Sequence, residues 1–265
     1  MNVIKNFLKL LNWQTAIVIL LSVVATYLCI TFDIVIELPT GLIGIAIVFP
    51  IVFSINAAYR RREEALRAFA SLKAHSVALF YAHRDWVPNN SSEHQKRIKE
   101  LIKSLMESIR KSFISESEKE ADFQQIYNVF SQMSESMEKL RAAQVSGSEI
   151  SRANQYLRSI IIEYEKMRNI FVYRTPTALR AYSQVFLTAF PILFAPYFAD
   201  LSDKHFFSLG FLVAAFYSLV LVSLDNIQEE LENPFDEIGV DDVNLKVADR
   251  YEKILTSEKE NTLVN

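Results

Sequence analysis

The chain has 265 residues, 51% of them hydrophobic, a formal net charge of −3, one cysteine, five glycines and seven prolines. The lone Cys29 excludes an intrachain disulfide and a thiolate metal site, and so few Gly and Pro leave little room for sheet or long loops. No Gly-rich phosphate loop, zinc signature or Gly-x-Ser-x-Gly elbow occurs, so an enzyme is unsupported.

In chain order, the first apolar stretch is Trp13–Phe32 and the second Leu38–Tyr59; a polar block follows, and then Ala178–Leu201 and Phe206–Leu224. Each stretch is long enough to cross a hydrocarbon core of about 30 Å as a helix. Asp200 and Arg180, at opposite ends of the third, are the only charges inside them. The N-terminal segment carries Lys5 and Lys9 but lacks a short apolar region with a small-residue cleavage site. The first stretch therefore reads as a retained span. The chain divides into residues 1–59 with two spans, 60–173 as a cytosolic helical region, 174–224 with two further spans, and 225–265 as an acidic tail.

Charge orients the spans. The first link, Asp33 to Glu37, has no Lys or Arg, and the link between spans three and four holds only Lys204. Arg60, Arg61 and Arg62 follow span two, while Lys166, Arg168 and Arg174 precede span three. Positive charge on one side places both termini and the polar block in the cytoplasm.

The polar block reads as helices. Arg61–Tyr81 continues span two without Pro or Gly, and Trp86 to Ser92 is a turn cluster. Ile98, Leu101, Ile102, Leu105, Met106, Ile109 and Phe113 then repeat at three-to-four spacing, as on one face of a helix. A further helix covers about Phe123–Ala143, and the Ser146-Gly147-Ser148 break opens a last one from about Glu149 to Tyr173. Residues 60–173 carry a net charge of +4 and residues 225–265 a net of −8. Either the tail packs on the basic block or it is solvated. His75, His83, His94 and His205 have no metal-ligand spacing and read as structural or surface residues.

Span two carries a stripe. Ile45, Phe49 and Phe53 are spaced by four, flanked by Leu42 and Asn56, so they share one helix face. From periodicity alone the stripe is a helix-packing seam. Around an axis of several copies it would instead form stacked apolar rings that gate by dewetting, with Phe edges favouring anions. Pro50 lies beside the stripe and removes a hydrogen bond from the Ala46 carbonyl, which predicts a local kink, static or hinged.

Two segments carry a family resemblance. Phe53-Ser54-Ile55-Asn56-Ala57-Ala58-Tyr59-Arg60-Arg61-Arg62-Glu63-Glu64-Ala65 is similar to the bestrophin pattern Phe-Arg-Asn-Asn-x-x-Tyr-x-Arg-Trp-Trp-Glu-x-Arg. Leu224-Asp225-Asn226-Ile227-Gln228-Glu229-Glu230-Leu231-Glu232-Asn233-Pro234-Phe235-Asp236 resembles Leu-Asp-x-Ile-x-x-Glu-Leu-x-x-Pro-Phe-Gly. With the order of spans, the chain resembles a bacterial bestrophin over nearly its whole length.

The resemblance implies an all-α integral membrane protein with four transmembrane helices per protomer. It also implies a homopentamer whose axial pore has a neck of Ile45, Phe49 and Phe53, and passive conduction of chloride or other small monovalent anions. A Phe at the middle neck position is closer to the anion-conducting pattern; some bacterial members favour cations and have Ile there. The implied partners are copies of the chain, small ions and the lipid bilayer, with no nucleic acid. A second, cytosolic constriction falls near Ser148, where the bottom-up reading is a plain helix cap. The implied tail wraps the cytosolic helices of neighbouring subunits.

This chain departs from the pattern at Arg62-Glu63, which stand for the Trp-Trp pair, and at Ser54, which stands for Arg. The calcium-binding run of animal members is only partly present. A calcium site of Asp241 with the backbone carbonyls of Glu230 and Asn233 stands against a plain acidic surface. Ile238 occupies another ligand position, and calcium takes six to eight oxygens, so calcium dependence is expected to be weak or absent. The rival readings are a cation-selective channel and a non-conducting membrane adaptor.

Overall fold

The computed structural model describes residues 11–37, 40–88, 92–115, 120–173, 177–202, 209–239 and 241–257. Lys5, Lys9, Arg174, Lys204 and the last eight residues lie outside them, as do the side chains of Leu42 and Ile45. Among the described residues the chain is helical, with no strand. It forms two compact units, one of residues 1–61 and 174–232, the other of residues 62–173 and 233–265.

The first unit holds α1 (Trp13–Thr31), the first half of α2 (Thr40–Asp85), α6 (Thr177–Leu193), α7 (Ala195–Asp200) and α8 (Leu209–Glu232). Among the described residues three segments are long and apolar enough to cross a membrane: Trp13–Thr31, Arg180–Asp200 and Leu209–Glu232. The stretch expected as span three has a one-residue irregularity at Phe194, between α6 and α7, with Pro191 and Pro196 on either side; Phe194 keeps helical angles, and the Phe194 and Phe198 amides still donate to Phe190 and Phe194 C=O (2.9 and 3.0 Å). α2, by contrast, runs through Pro50 as one continuous helix.

Polar side chains fix the helix ends of this unit. The Asn12 side chain accepts from the Thr15 amide (2.9 Å), and the Asn12 amide donates back to Thr15 Oγ1 (3.4 Å). The Asn12 side chain also donates to Asn226 Oδ1 (3.1 Å), and Asn226 Nδ2 donates to Thr15 Oγ1 (3.2 Å). The cap of α1 is thus tied to α8, the exposed Asn12 bonding to buried Thr15 and Asn226. At the other end, Gly210 permits close approach of α8 to α7. A Cβ there would collide with Ser202 Oγ and the Phe198 carbonyl.

The second unit holds the rest of α2, α3 (Ser92–Ile114), α4 (Glu120–Ala142), α5 (Gly147–Val172) and α9 (Ala248–Ser257). All seven apolar residues of the expected α3 face are buried. α4 ends in a left-handed Gln144 (φ 61°), with Val145 N–H donating to Leu140 C=O (3.1 Å). A helix stop of this kind usually takes Gly. Ser146 then caps α5, its hydroxyl accepting from the Glu149 amide (3.4 Å). An aromatic cluster of Phe113, Tyr127, Phe130, Tyr164, Phe171 and Phe235 closes the core.

Candidate pore-lining face and tail strap

The first half of α2 has two faces. Ile51 is buried and packs with Leu187, Phe194 and Phe198; Ser54 and Ala58 are buried on the same side. Phe49 and Phe53 point the opposite way, 58% and 63% exposed, with ring centroids 6.0 Å apart. At 100° per residue the two sets lie about 180° apart. The Phe pair is therefore no packing seam within this chain. Asn56 is exposed as well, and Pro50 is half-buried beside the stripe. Ile45 falls on the same backbone face by spacing.

Ser148 is exposed in the first turn of α5, its hydroxyl 3.0 Å from that of Ser146. The side chain that caps the helix is Ser146.

In its described residues the segment after α8 is a strap that packs on the rest of the second unit. Phe235, Val243, Leu245 and Val247 are buried in the core of the second unit, and α9 packs on α3. Val243 N–H donates to Pro234 C=O (2.8 Å), closing a loop whose Glu237 sits at φ 62°. A left-handed non-Gly residue costs on the order of 1–3 kcal/mol and persists only where neighbours hold it. Here Arg110 donates to both Glu237 oxygens (2.8 and 3.1 Å), and Lys246 pairs with the same carboxylate at 2.7 Å. These cations hold the Glu237 carboxyl down at about 2, the Arg110 hydrogen bonds contributing most. Farther along, Lys103 donates to Glu252 (2.7 Å) and lies 3.6 Å from Asp249. Acidic tail and basic block thus meet within one unit.

Arg62, which replaces an aromatic of the resembled pattern, fastens the strap to α2. Its Nε donates to the Asp241 carbonyl (2.9 Å), and its Nη1 reaches Glu63 (2.5 Å). No periodicity signals that contact across 179 positions; only the departure from the pattern marked Arg62.

Of the expected calcium set, Asp241 exposes its side chain and Asn233 donates to Asp236 Oδ2 (2.9 Å). Glu230 belongs to the other unit. The carboxylates that do meet are Asp236 and Asp242. Asp236 accepts the Ile238 amide (3.0 Å) and Asp242 the Gly239 amide (3.0 Å). Burial, and then Asp236, push Asp242 up to about 6. Ile238 is exposed. Among the described residues no three His, Cys, Asp or Glu side chains group as metal ligands.

No family model matches the sequence, and no curated protein is similar to it. Solved structures are. A bacterial bestrophin homologue from Klebsiella pneumoniae, carrying a point mutation, superposes with a TM-score of 0.76 at 20% identity. It covers 92% of this chain and 96% of its own. A second mutant of that homologue gives 0.77 at 21% identity over 90% and 96%. A crystal structure described only as a membrane protein gives 0.78 at 20% identity over 92% and 98%.

The chain has the bestrophin fold.

Proposed function

We propose that this protein is a bestrophin-type ion channel, a ring of five copies that conducts small monovalent anions such as chloride. Four spans per protomer cross the inner membrane with both termini cytoplasmic. Ile45, Phe49 and Phe53 form the neck, and a ring of Ser148 forms a wider cytosolic constriction. The observation that carries the reading is the Phe49–Phe53 face. Large apolar side chains stand unburied on a helix whose opposite face is packed, in a chain with the fold of bestrophin homologues. A single helix face cannot enclose water, so the reading requires several copies about an axis. Three helices of sufficient length and apolarity, with α2 as the fourth span, support the membrane setting.

The test is reconstitution. Purified protein should show a native mass near five times the 30.5 kDa protomer plus detergent. Liposomes should pass anions, with a reversal potential in asymmetric salt that follows chloride. A potential that follows the cation would select the cation channel instead. A monodisperse monomer or dimer without flux would select the adaptor and sink the channel reading.

A further inference from the structure

The second unit carries a recess that the channel reading does not use. It measures about 360 Å³ and opens between the end of α2, the first turns of α3 and the last turns of α4. That volume is at the small end of the roughly 300–1,000 Å³ usual for small-molecule sites.

Its floor is polar but uncharged. Ser136 donates its single hydroxyl proton to the Met133 carbonyl (2.6 Å), so toward His83 Nε2 (3.2 Å) it accepts. His83 is therefore the tautomer protonated at Nε2. Burial, and then the neighbouring His94, hold it neutral with a value lowered to about 4. The walls are cationic. Arg97 gives one N–H to Gln132 (2.8 Å), leaving further guanidinium donors for a ligand. Lys139 has no ion pair or hydrogen-bond partner among the described residues. His94 stands in the first turn of α3, where the helix dipole favours negative charge. Glu93 is the one acid among the described lining residues, and Ile98 supplies an apolar wall.

We propose that this recess binds the phosphate group of a small phosphorylated molecule. Arg97 and Lys139 would hold the phosphate oxygens, Arg97 through paired N–H donors, while the wall at Ile98 takes the organic part. Two fixed positive charges against one acid suit a dianion better than a chloride-sized monoanion. The proposal stands whether or not the protein conducts.

Titration calorimetry on the full-length protein in detergent, with inorganic phosphate and separately with adenosine monophosphate, tests it. Saturable binding of at least one is expected, with a matching rise in melting temperature. Tighter binding of the nucleotide would mark a phosphate ester as the ligand, and tighter binding of phosphate the free ion. Arg97→Gln and Lys139→Gln should each weaken binding about tenfold. Arg158→Gln, an exposed cation of α5 outside the recess, should leave it unchanged. Absence of saturable binding to the wild-type protein, or an equal loss in Arg158→Gln, would overturn the proposal.

Discussion

Phe49 and Ile51 lie two positions apart on α2 and make opposite demands. Ile51 is buried, so Ile51→Ala should cost about 2–5 kcal/mol of stability and lower the melting temperature. Phe49 and Phe53 are mostly exposed within the chain, so their truncation should cost far less than the roughly 3–5 kcal/mol of a buried Phe. If they line a neck with Ile45, the triple Ala variant should conduct more, or fail to close, at a nearly unchanged melting temperature. Unchanged flux with a lowered melting temperature would return the stripe to a seam, now between protomers. His83 gives a separate residue-scale test. Its value is lowered on folding from 6.5 to about 4. The unfolded chain then binds the extra proton between those limits, and stability present above about 6.5 is lost as pH falls toward 4. Melting temperature should drop from pH 7 to pH 5 in the wild type, and His83→Gln should flatten that slope.

At the scale of elements, the strap is where ion pairing replaces regular structure. Glu237 is depressed from 4.5 to about 2 by Arg110 and Lys246. Its contribution is present above about 4.5 and is lost as pH falls through about 2. Arg110 is partly exposed, so solvent screens the pair and Glu237→Gln should cost no more than about 1 kcal/mol at pH 7. Proteolysis of the strap should rise in that variant, which still has the left-handed Glu237 backbone to hold. Asp242 works the other way. Raised to about 6 by burial and Asp236, it contributes below about 3.8 and loses that contribution as pH rises through 6. Asp242→Asn keeps an acceptor for the Gly239 amide and removes the charge, so it should raise the melting temperature most at pH 8, less at pH 5, and not below about pH 3.8. Much of this architecture was legible from residues. The α3 face followed from three-to-four spacing because its burial is one-sided, and the Ser146 break marked the start of α5. The irregularity at Phe194 inside the third stretch was not read, because a Pro within an apolar run leaves the helix continuous as readily as it disturbs it. The strap was half read. Opposite charge on block and tail allowed a contact, but the pairing of Arg110 with Glu237 spans 127 positions and leaves no local signal. On α2, spacing alone set Ile45, Phe49 and Phe53 on one face; which side of the helix was free depended on Leu187 and Phe194, far off in the chain.

For the whole molecule the open variable is what would control the proposed pore. Calcium is the stimulus the fold resemblance suggests, and the chemistry of this strap argues against it. A calcium ion takes six to eight oxygens, several of them charged. Here Asn233 bonds Asp236, the Asp241 carbonyl is taken by Arg62, and Glu237 is taken by Arg110 and Lys246. The Asp236 and Glu237 carboxylates and the Asp241 carbonyl are thus already engaged within the chain, which leaves the exposed Asp241 carboxylate as a lone charged ligand. The strap should therefore stay docked without metal, and flux should not need it. The measurement is chloride efflux from liposomes at nanomolar and at micromolar free calcium, for the wild type and for Asp241→Ala. Equal rates in all four conditions are expected. A rate that rises with calcium in the wild type and loses that rise in Asp241→Ala would mean that an ion displaces the internal pairs. In that case Arg62→Ala, which frees the Asp241 carbonyl, should shift activation to lower calcium. If the strap is instead held by its own cations, Arg62→Ala should leave flux insensitive to calcium and only loosen the strap, seen as faster proteolysis after residue 232.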